Sequence, residues 1–335
     1  MNVKLVYMDH RSVSVVVPAY NCESTIARTI TAIKNQSFKP KDIIIIDDGS
    51  CDGSAHTVKF FPEVKYVFQP NAGPAAARNK GAELAEGEVL FFTDSDCIPA
   101  KDWIEKMIQH FDRPLIGAVA GSYGIANADN RLARGIHNEI LFRHDHLMPE
   151  YPSAFGSYNV AIRKSVFHQV GGFDESYRWA SGEDNDLSYK LLKAGFKIYF
   201  ERAAKVDHFH ATSIFRYLKE QYRHGFWRVR LYMAHPDMVK GDNYTFWKDI
   251  IEMPLAFLTL VFLFFSVLPY GAAVMLLIVL LFNGFMQLIF SCMTENTIYD
   301  AIYYSFILFV RSYLRFFGLS TGICFFFFEK FSKKN

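Results

Sequence analysis

VLFFTDSDC, residues 89–97, sets an apolar run against two aspartates one residue apart. Residues 89–92 have the length and aromatic-rich composition of a buried strand, and Asp94 and Asp96 follow at once. Carboxylates this close repel one another unless a cation or a donor-rich ligand compensates them. Something beyond the strand wants negative charge. Working outward, residues 13–17 (VSVVV), 43–46 (IIII) and 64–68 read as further strands. Ile26, Ile30 and Ile33 mark a helical stripe, and residues 75–84 read as helix. Strands alternating with helices predict an α/β fold with a mostly parallel sheet.

Ligands of such sheets bind beyond the carboxyl ends of the strands. There the chain sets PAYN (residues 18–21), DDGS (residues 47–50) and DSD (residues 94–96). Taken singly, each is turn or cap chemistry, and a lone DxD recurs by chance. Placed together on one edge, they point to a ligand. No GxGxxG or GxxxxGK[ST] motif offers a dinucleotide site or a P-loop instead. A divalent cation completed by substrate phosphates satisfies these acids best, because hard cations take oxygen ligands.

The chain has 335 residues, 51% of them hydrophobic and 16% aromatic, which is more than an ordinary soluble domain carries, so the excess must be localised. A net charge of +2 supplies no basic field for nucleic acid, and none is expected as a partner. Cys22, Cys51, Cys97, Cys292 and Cys324 lack CxxC or metal-type spacing, which fits a reducing compartment and gives them no role. The first 17 residues lack the long apolar core and cleavage site of a signal peptide, so the front of the chain is expected in the cytosol.

VSVVVPAYN, IIIIDDGSCDGS, NAGPAAARNKGAEL, FFTDSD, GSYNVAIRKSVFHQVGGFDESY and GEDNDLSYKLLKAG occur in the order and rough spacing of a known family. Over residues 13–213 the chain resembles the GT-A-fold glycosyltransferases of family 2. The resemblance implies a GT-A catalytic domain, a mostly parallel Rossmann-like sheet, that moves a sugar from a nucleotide-diphosphate sugar with inversion, using Mn²⁺ or Mg²⁺. Carried over by position, Pro18, Tyr20, Asp48, Arg78, Asp94, Ser95 and Asn159 would bind the nucleotide sugar. Tyr20 would pack on the base, Asp48 bond its edge, Arg78 approach the diphosphate or ribose, and Asp94 face the ribose. Asp96 would hold the metal. Plain structural readings stand beside two of these: a half-buried aromatic for Tyr20 and a solvated helix face for Arg78.

GEDNDL, residues 182–187, precedes the periodic LSYKLLKAGF, so its acids lie near a helix N-terminus, where carboxylates are favourable as caps whatever their chemistry. The resemblance makes Asp184 the general base that deprotonates the acceptor hydroxyl, with Glu183 and Asp186 as fallbacks. His208 and His210 share a face if their segment is extended. They resemble the V-x-H-x-H-x-x-S element that closes family 2 sites, where one of them, His208 or His210, would join the metal; imidazole suits Mn²⁺.

Beyond residue 213, Ile214, Leu218, Tyr222, Phe226, Val229 and Met233 form an apolar helical stripe, with Arg216, Lys219, Arg223 and Arg230 offset from it. This reads as a basic interfacial helix on an anionic leaflet, with a helix packed on the catalytic domain as the plain alternative. Residues 254–292 hold no charge and are broken near PYG (residues 269–271), which suits two spans, about residues 252–268 and 271–292. Arg311 and Arg315 would each cost about 2.5–3.5 kcal/mol at a bilayer centre, so residues 298–328 are expected to be interfacial or re-entrant. The basic helix before the first span and Lys330, Lys333 and Lys334 at the end are both expected to be cytoplasmic, which requires an even number of spans; four is the alternative to two. The expected domains are 1–212 (catalytic), 213–250 (basic helix and linker) and 251–335 (membrane).

A multi-pass protein of the cell membrane with a cytoplasmic catalytic domain implies membrane lipids as partners and a lipid-linked, polyprenyl-carried saccharide as acceptor, with a UDP-sugar as the favoured donor. A polyprenyl-phosphate monosaccharide synthase and a processive polysaccharide synthase are the rival enzymes, though QYRHGFW (residues 221–227) is not the QxxRW of the latter. A non-catalytic sugar-binding scaffold is the rival of another class; it gains nothing from clustered, repelling carboxylates.

Overall fold

Val13, Val15 and Val17 pack on one side of strand β1 (Val13–Ala19) and Val16 on the other, and both sides are buried. A strand covered on two faces has no polar side to alternate with, which is why VSVVV and IIII are unbroken apolar runs. In the computed structural model, which describes residues 11–241, 243, 245–265 and 270–332, β1 lies between two parallel partners. These are β2 (Asp42–Asp47) and β4 (Val89–Thr93), and β3 (Lys65–Phe68) pairs parallel with β2. Helices α1 (Ile26–Lys34), α2 (Ser54–Val58) and α3 (Pro74–Leu84) are the crossovers. Ile26, Ile30 and Ile33 are fully buried, as their spacing predicts.

The sheet then turns antiparallel. Short β5 (Cys97–Pro99), helix α4 (Trp103–Ile108) and β6 (Ile116–Ile125) follow β4 in the chain. After helix α5 (Arg131–His146) come β7 (Asn159–Arg163), α6 (Lys164–Gln169), α7 (Glu183–Lys193) and β8 (Lys197–His208). The strand order is β3-β2-β1-β4-β7-β6-β8-β5, with β7 antiparallel to β4 and β6, and β5 antiparallel to β8. This is the mixed, mostly parallel sheet of the GT-A fold, α/β as the sequence predicts.

The chain divides into two compact units, Met1–Ala126 with Met148–Phe209, and Asn127–Leu147 with His210–Asn335. The expected domain 1–212 is thus interrupted, because α5 belongs with the C-terminal helices. Those are α8 (Ile214–Ala234), α9 (Trp247–Phe265), α10 (Tyr270–Thr294) and α11 (Ile298–Ser332). Within this helical unit Leu132, Tyr217, Phe290, Tyr304, Ile307 and Leu308 share a core.

Helix α8 buries Tyr217, Gln221, Gly225 and, from the expected stripe, Val229, while Ile214 and Met233 of that stripe are exposed. The reason is steric. A Cβ on Gly318 of α11 would collide with the Tyr222 carbonyl, and one on Gly225 with the Arg315 carbonyl, so the glycines set which face of α8 meets α11. Among the described residues two helices are long and apolar enough to cross a membrane, Gly271–Thr294 and Ile298–Glu329. The first is the expected span at about residues 271–292. The second is the segment expected at the interface, and it is one continuous helix. The expected first span runs into residues 266–268, and these, with Pro269 of PYG and Lys333 and Lys334, lie outside the described residues.

Candidate functional site

The carboxyl ends of β1, β2 and β4 bring the three polar loops together. Asn21, in left-handed backbone with φ 48°, accepts from Cys51 N at 2.8 Å, and its own N–H donates to Ser50 Oγ at 2.9 Å. The PAYN and DDGS loops are therefore tied to each other, and Tyr20 stands out beside them, 54% exposed. Thr29 Oγ1 of α1 donates to the Ser95 carbonyl at 3.0 Å, steadying the DSD loop from beneath.

Asp96 leads directly into β5, where Cys97 pairs across the strands with His208 of β8. Phe209 N also donates to the Asp96 carbonyl at 3.0 Å. This backbone pairing sets His208 Nε2 3.4 Å from Asp96 Oδ1, both side chains partly open to solvent. Two neighbouring ligands, each about 2.1 Å from an octahedral cation, lie about 3 Å apart, so one carboxylate and one imidazole here fit Mn²⁺ or Mg²⁺ with positions left for phosphate oxygens. The Cys97 sulfur completes the cluster in space. Burial, then the charges of Asp96 and Asp94, push its thiol well above the ordinary value, so it stays protonated.

A second chain of charge runs from β4 to α7. Arg78, only 2% exposed, donates through Nη2 to Asp94 Oδ1 at 2.7 Å and through Nη1 to Glu183 Oε1 at 3.0 Å. Ser181 N donates to the other Glu183 oxygen at 2.7 Å. Both oxygens of Glu183 are thus engaged, and Asp186 pairs with Lys190 at 2.7 Å. Half-buried Asp184, between them, accepts from Asn185 N at 2.8 Å. Burial, then the neighbouring Glu183 charge, push the Asp184 carboxyl up to about 7 against the opposing pull of Arg78. Gly182, at φ 119°, makes the turn that points α7's first residues this way, a backbone conformation that few residues other than glycine adopt.

Residues 14–171 match the profile described as Glycosyl transferase family 2. The chain belongs to this family over that stretch. Residues 137–215 match the N-terminal domain of galactosyltransferase. Among curated relatives, a pre-mycofactocin glycosyltransferase of Mycobacterium tuberculosis is 31% identical over 238 residues, covering 68% of this chain and 49% of that protein. A validoxylamine A glucosyltransferase of Streptomyces hygroscopicus is 28% identical, covering 56% of this chain and 49% of that one. The chain spans about half the length of these relatives. The mannosyltransferase PcManGT of Pyrobaculum calidifontis, solved with GDP-Man and Mn²⁺, shares the fold with a TM-score of 0.55 at 16% identity, covering 91% of this chain and 87% of that one.

Within this family 2 domain the residues singled out by sequence divide by employment. Pro18, Tyr20, Asp94, Ser95, Asp96 and His208 lie at the carboxyl edge of the sheet or on the strand beside it. Asp48 lies there too, but it is 4% exposed and its carboxylate accepts from Ala72 N, Gly73 N and Gln69 Nε2 at 2.7–2.9 Å. Its visible work is to fold residues 69–73 over the strand ends. Asn159 is 1% exposed, accepts from Trp103 Nε1 at 2.7 Å and donates to the Ser122 and Ala204 carbonyls at 2.9 Å. It ties α4, β6 and β8 together rather than offering its amide outward. His210 belongs to the helical unit, with its ring 5.6 Å from that of His137.

The sequence reading missed the Asp94–Arg78–Glu183 chain. A signal for it existed: Arg78 shares a helical face with Ala75, Gly81 and Ala82, all buried, so that face could not be the solvated one.

Proposed function

We propose that this chain transfers a sugar from a nucleotide-diphosphate sugar to a hydroxyl of a membrane-associated, lipid-linked saccharide, with inversion at the anomeric carbon. The observation that carries the reading is an open Asp96–His208 ligand pair together with a base candidate, Asp184, whose carboxyl is pushed up to about 7 and whose neighbour Glu183 is tied through Arg78 to Asp94. The first suits a leaving diphosphate, the second an attacking hydroxyl. Asp96 and His208 would hold Mn²⁺ or Mg²⁺, which supplies charge neutralisation for the departing diphosphate. Tyr20 offers an exposed ring for the base. Asp184 takes the hydroxyl proton as the oxygen attacks C1, a task served best by a group that titrates near the working pH. Family membership supports sugar transfer. The two long apolar helices support an acceptor met at a membrane; in this reading the catalytic unit and its donor lie on the cytoplasmic side.

Detergent-purified protein offered UDP-, GDP- and dTDP-sugars with Mn²⁺ or Mg²⁺ tests the reading. Release of nucleotide from one donor, lost in Asp96→Ala, supports it and fixes the donor. Absence of both release and metal-dependent nucleotide binding overturns it in favour of the scaffold.

A further inference from the structure

We propose that Arg78 is a positioning residue that couples the donor side of the site to the acceptor side by holding Asp94 and Glu183 with one buried guanidinium. The proposal rests on the sugar-transfer reading above. Arg78 comes from α3, Asp94 from the end of β4 and Glu183 from the first turn of α7, elements joined by no short stretch of chain. The guanidinium sits 5.5 Å above the Phe173 ring and is sealed from solvent, so it cannot itself reach a diphosphate. What it can do is fix two neighbours. Asp94 stands two residues before Asp96, and Glu183 is bonded directly to Asp184 in sequence. The planar fork of an arginine serves two carboxylates on separate nitrogens; a lysine ammonium is a single point charge and cannot hold both in register.

The charges that bear on Asp184 are Glu183 on its own helix and Arg78 across from α3, while Asp186 and Lys190 of that helix pair with each other. Glu183 opposes ionisation of Asp184 and Arg78 favours it, so the balance of this pair sets the pH at which the base becomes available. One residue therefore governs both the placement of the donor-side carboxylate and the protonation of the acceptor-side base. Separate residues on either arm should govern one alone.

The test uses the full chain in detergent as wild type, Arg78→Lys, Asp94→Asn and Glu183→Gln, each checked for cooperative thermal unfolding. Two readouts are taken: affinity for UDP and GDP with Mn²⁺ by calorimetry, and the acidic limb of the pH–rate profile. Arg78→Lys is expected to weaken nucleotide binding about fivefold or more and to move the limb upward by about half a pH unit, since the displaced ammonium leaves Glu183 less neutralised beside Asp184. Glu183→Gln should move the limb downward with binding unchanged, and Asp94→Asn should weaken binding with the limb unchanged. Should Arg78→Lys fail to fold, the two single-arm variants still decide: a stationary limb in Glu183→Gln overturns the coupling. So does an Arg78→Lys protein that shifts only one readout or neither while the wild type binds and reacts. A wild type that binds no nucleoside diphosphate in either metal sinks the transfer reading itself, and the coupling with it.

Discussion

Glu139 and Arg311, 172 positions apart in the chain, form an ion pair at 2.6 Å inside the helical unit, where Arg311 is 1% exposed. Glu139 also accepts from Arg143 Nη2 and Tyr304 Oη, each at 2.8 Å, while Arg311 donates to Tyr217 Oη at 3.0 Å. A fully orphaned buried charge costs about 3–5 kcal/mol, and Arg143 remains beside Glu139 when Arg311 is removed, which holds the cost below that. Arg311→Met is expected to lose a part of that stability in detergent, and Glu139→Gln with Arg311→Met together to lose less than the sum of the singles. Thermal or denaturant unfolding of the singles and the double measures the coupling; strictly additive losses would show that the pair does not interact.

That pair marks the boundary of what the sequence makes legible. The parallel half of the sheet could be read directly, because strands buried on both faces are unbroken apolar runs and their loops carry the acids. The other half could not: β8, KIYFERAAKVDH, has charged residues along an irregular burial pattern, and its partners, parallel β6 and antiparallel β5, are chosen by tertiary packing. Arg311 and Arg315 looked costly in an apolar helix only because their partners stand elsewhere, Glu139 on α5 and Glu252 on α9. Asp48 and Asp96 show the same limit at the site. A carboxylate that closes a loop onto amides and one that waits for a cation are identical letters.

Asp184 carries the pH dependence. Its carboxyl is raised from 3.8 to about 7 on folding, so the protonated form favours the folded state. That contribution is whole below about pH 4 and is lost as pH rises through about 7. As a general base the group works only when ionised, so kcat/KM should fall about tenfold per pH unit below pH 7 and level off above it. Asp184→Asn should abolish transfer, lose that limb, and gain stability relative to wild type at pH 8. A limb unchanged in a variant that still turns over would exclude Asp184 as the base.

Asp96 and His208 make separable contributions to metal binding. Asp96→Ala removes the charged ligand and should abolish Mn²⁺-dependent nucleotide binding. His208→Ala should weaken Mn²⁺ binding by about tenfold, roughly 1.4 kcal/mol, because the neutral imidazole adds donor strength without charge. His210→Ala should leave it unchanged. Paramagnetic resonance of free Mn²⁺ reads all three without substrate, and a loss in His210→Ala equal to that in His208→Ala would reverse the assignment.

The glycine seam between α8 and α11 makes the last prediction. Gly318 faces the Tyr222 carbonyl and Gly225 the Arg315 carbonyl, so the two backbones meet with nothing between them. In an apolar surrounding, helix association depends on such close approach rather than on expulsion of water. Gly318→Leu cannot be absorbed by a rotamer change, because the obstruction is main chain, and the helices must part. Arg315 Nε, which donates to Gln221 Oε1 at 2.8 Å across the same seam, would be drawn away as well. A loss of about 1–3 kcal/mol or more is expected, and Gly318→Ala should show a smaller one in the same direction. Gly271 of α10, whose added Cβ would meet no atom among the described residues, is the control, and Gly271→Ala should be neutral within error. Equal melting temperatures for Gly318→Leu and the control would show that α8 and α11 are not closely packed.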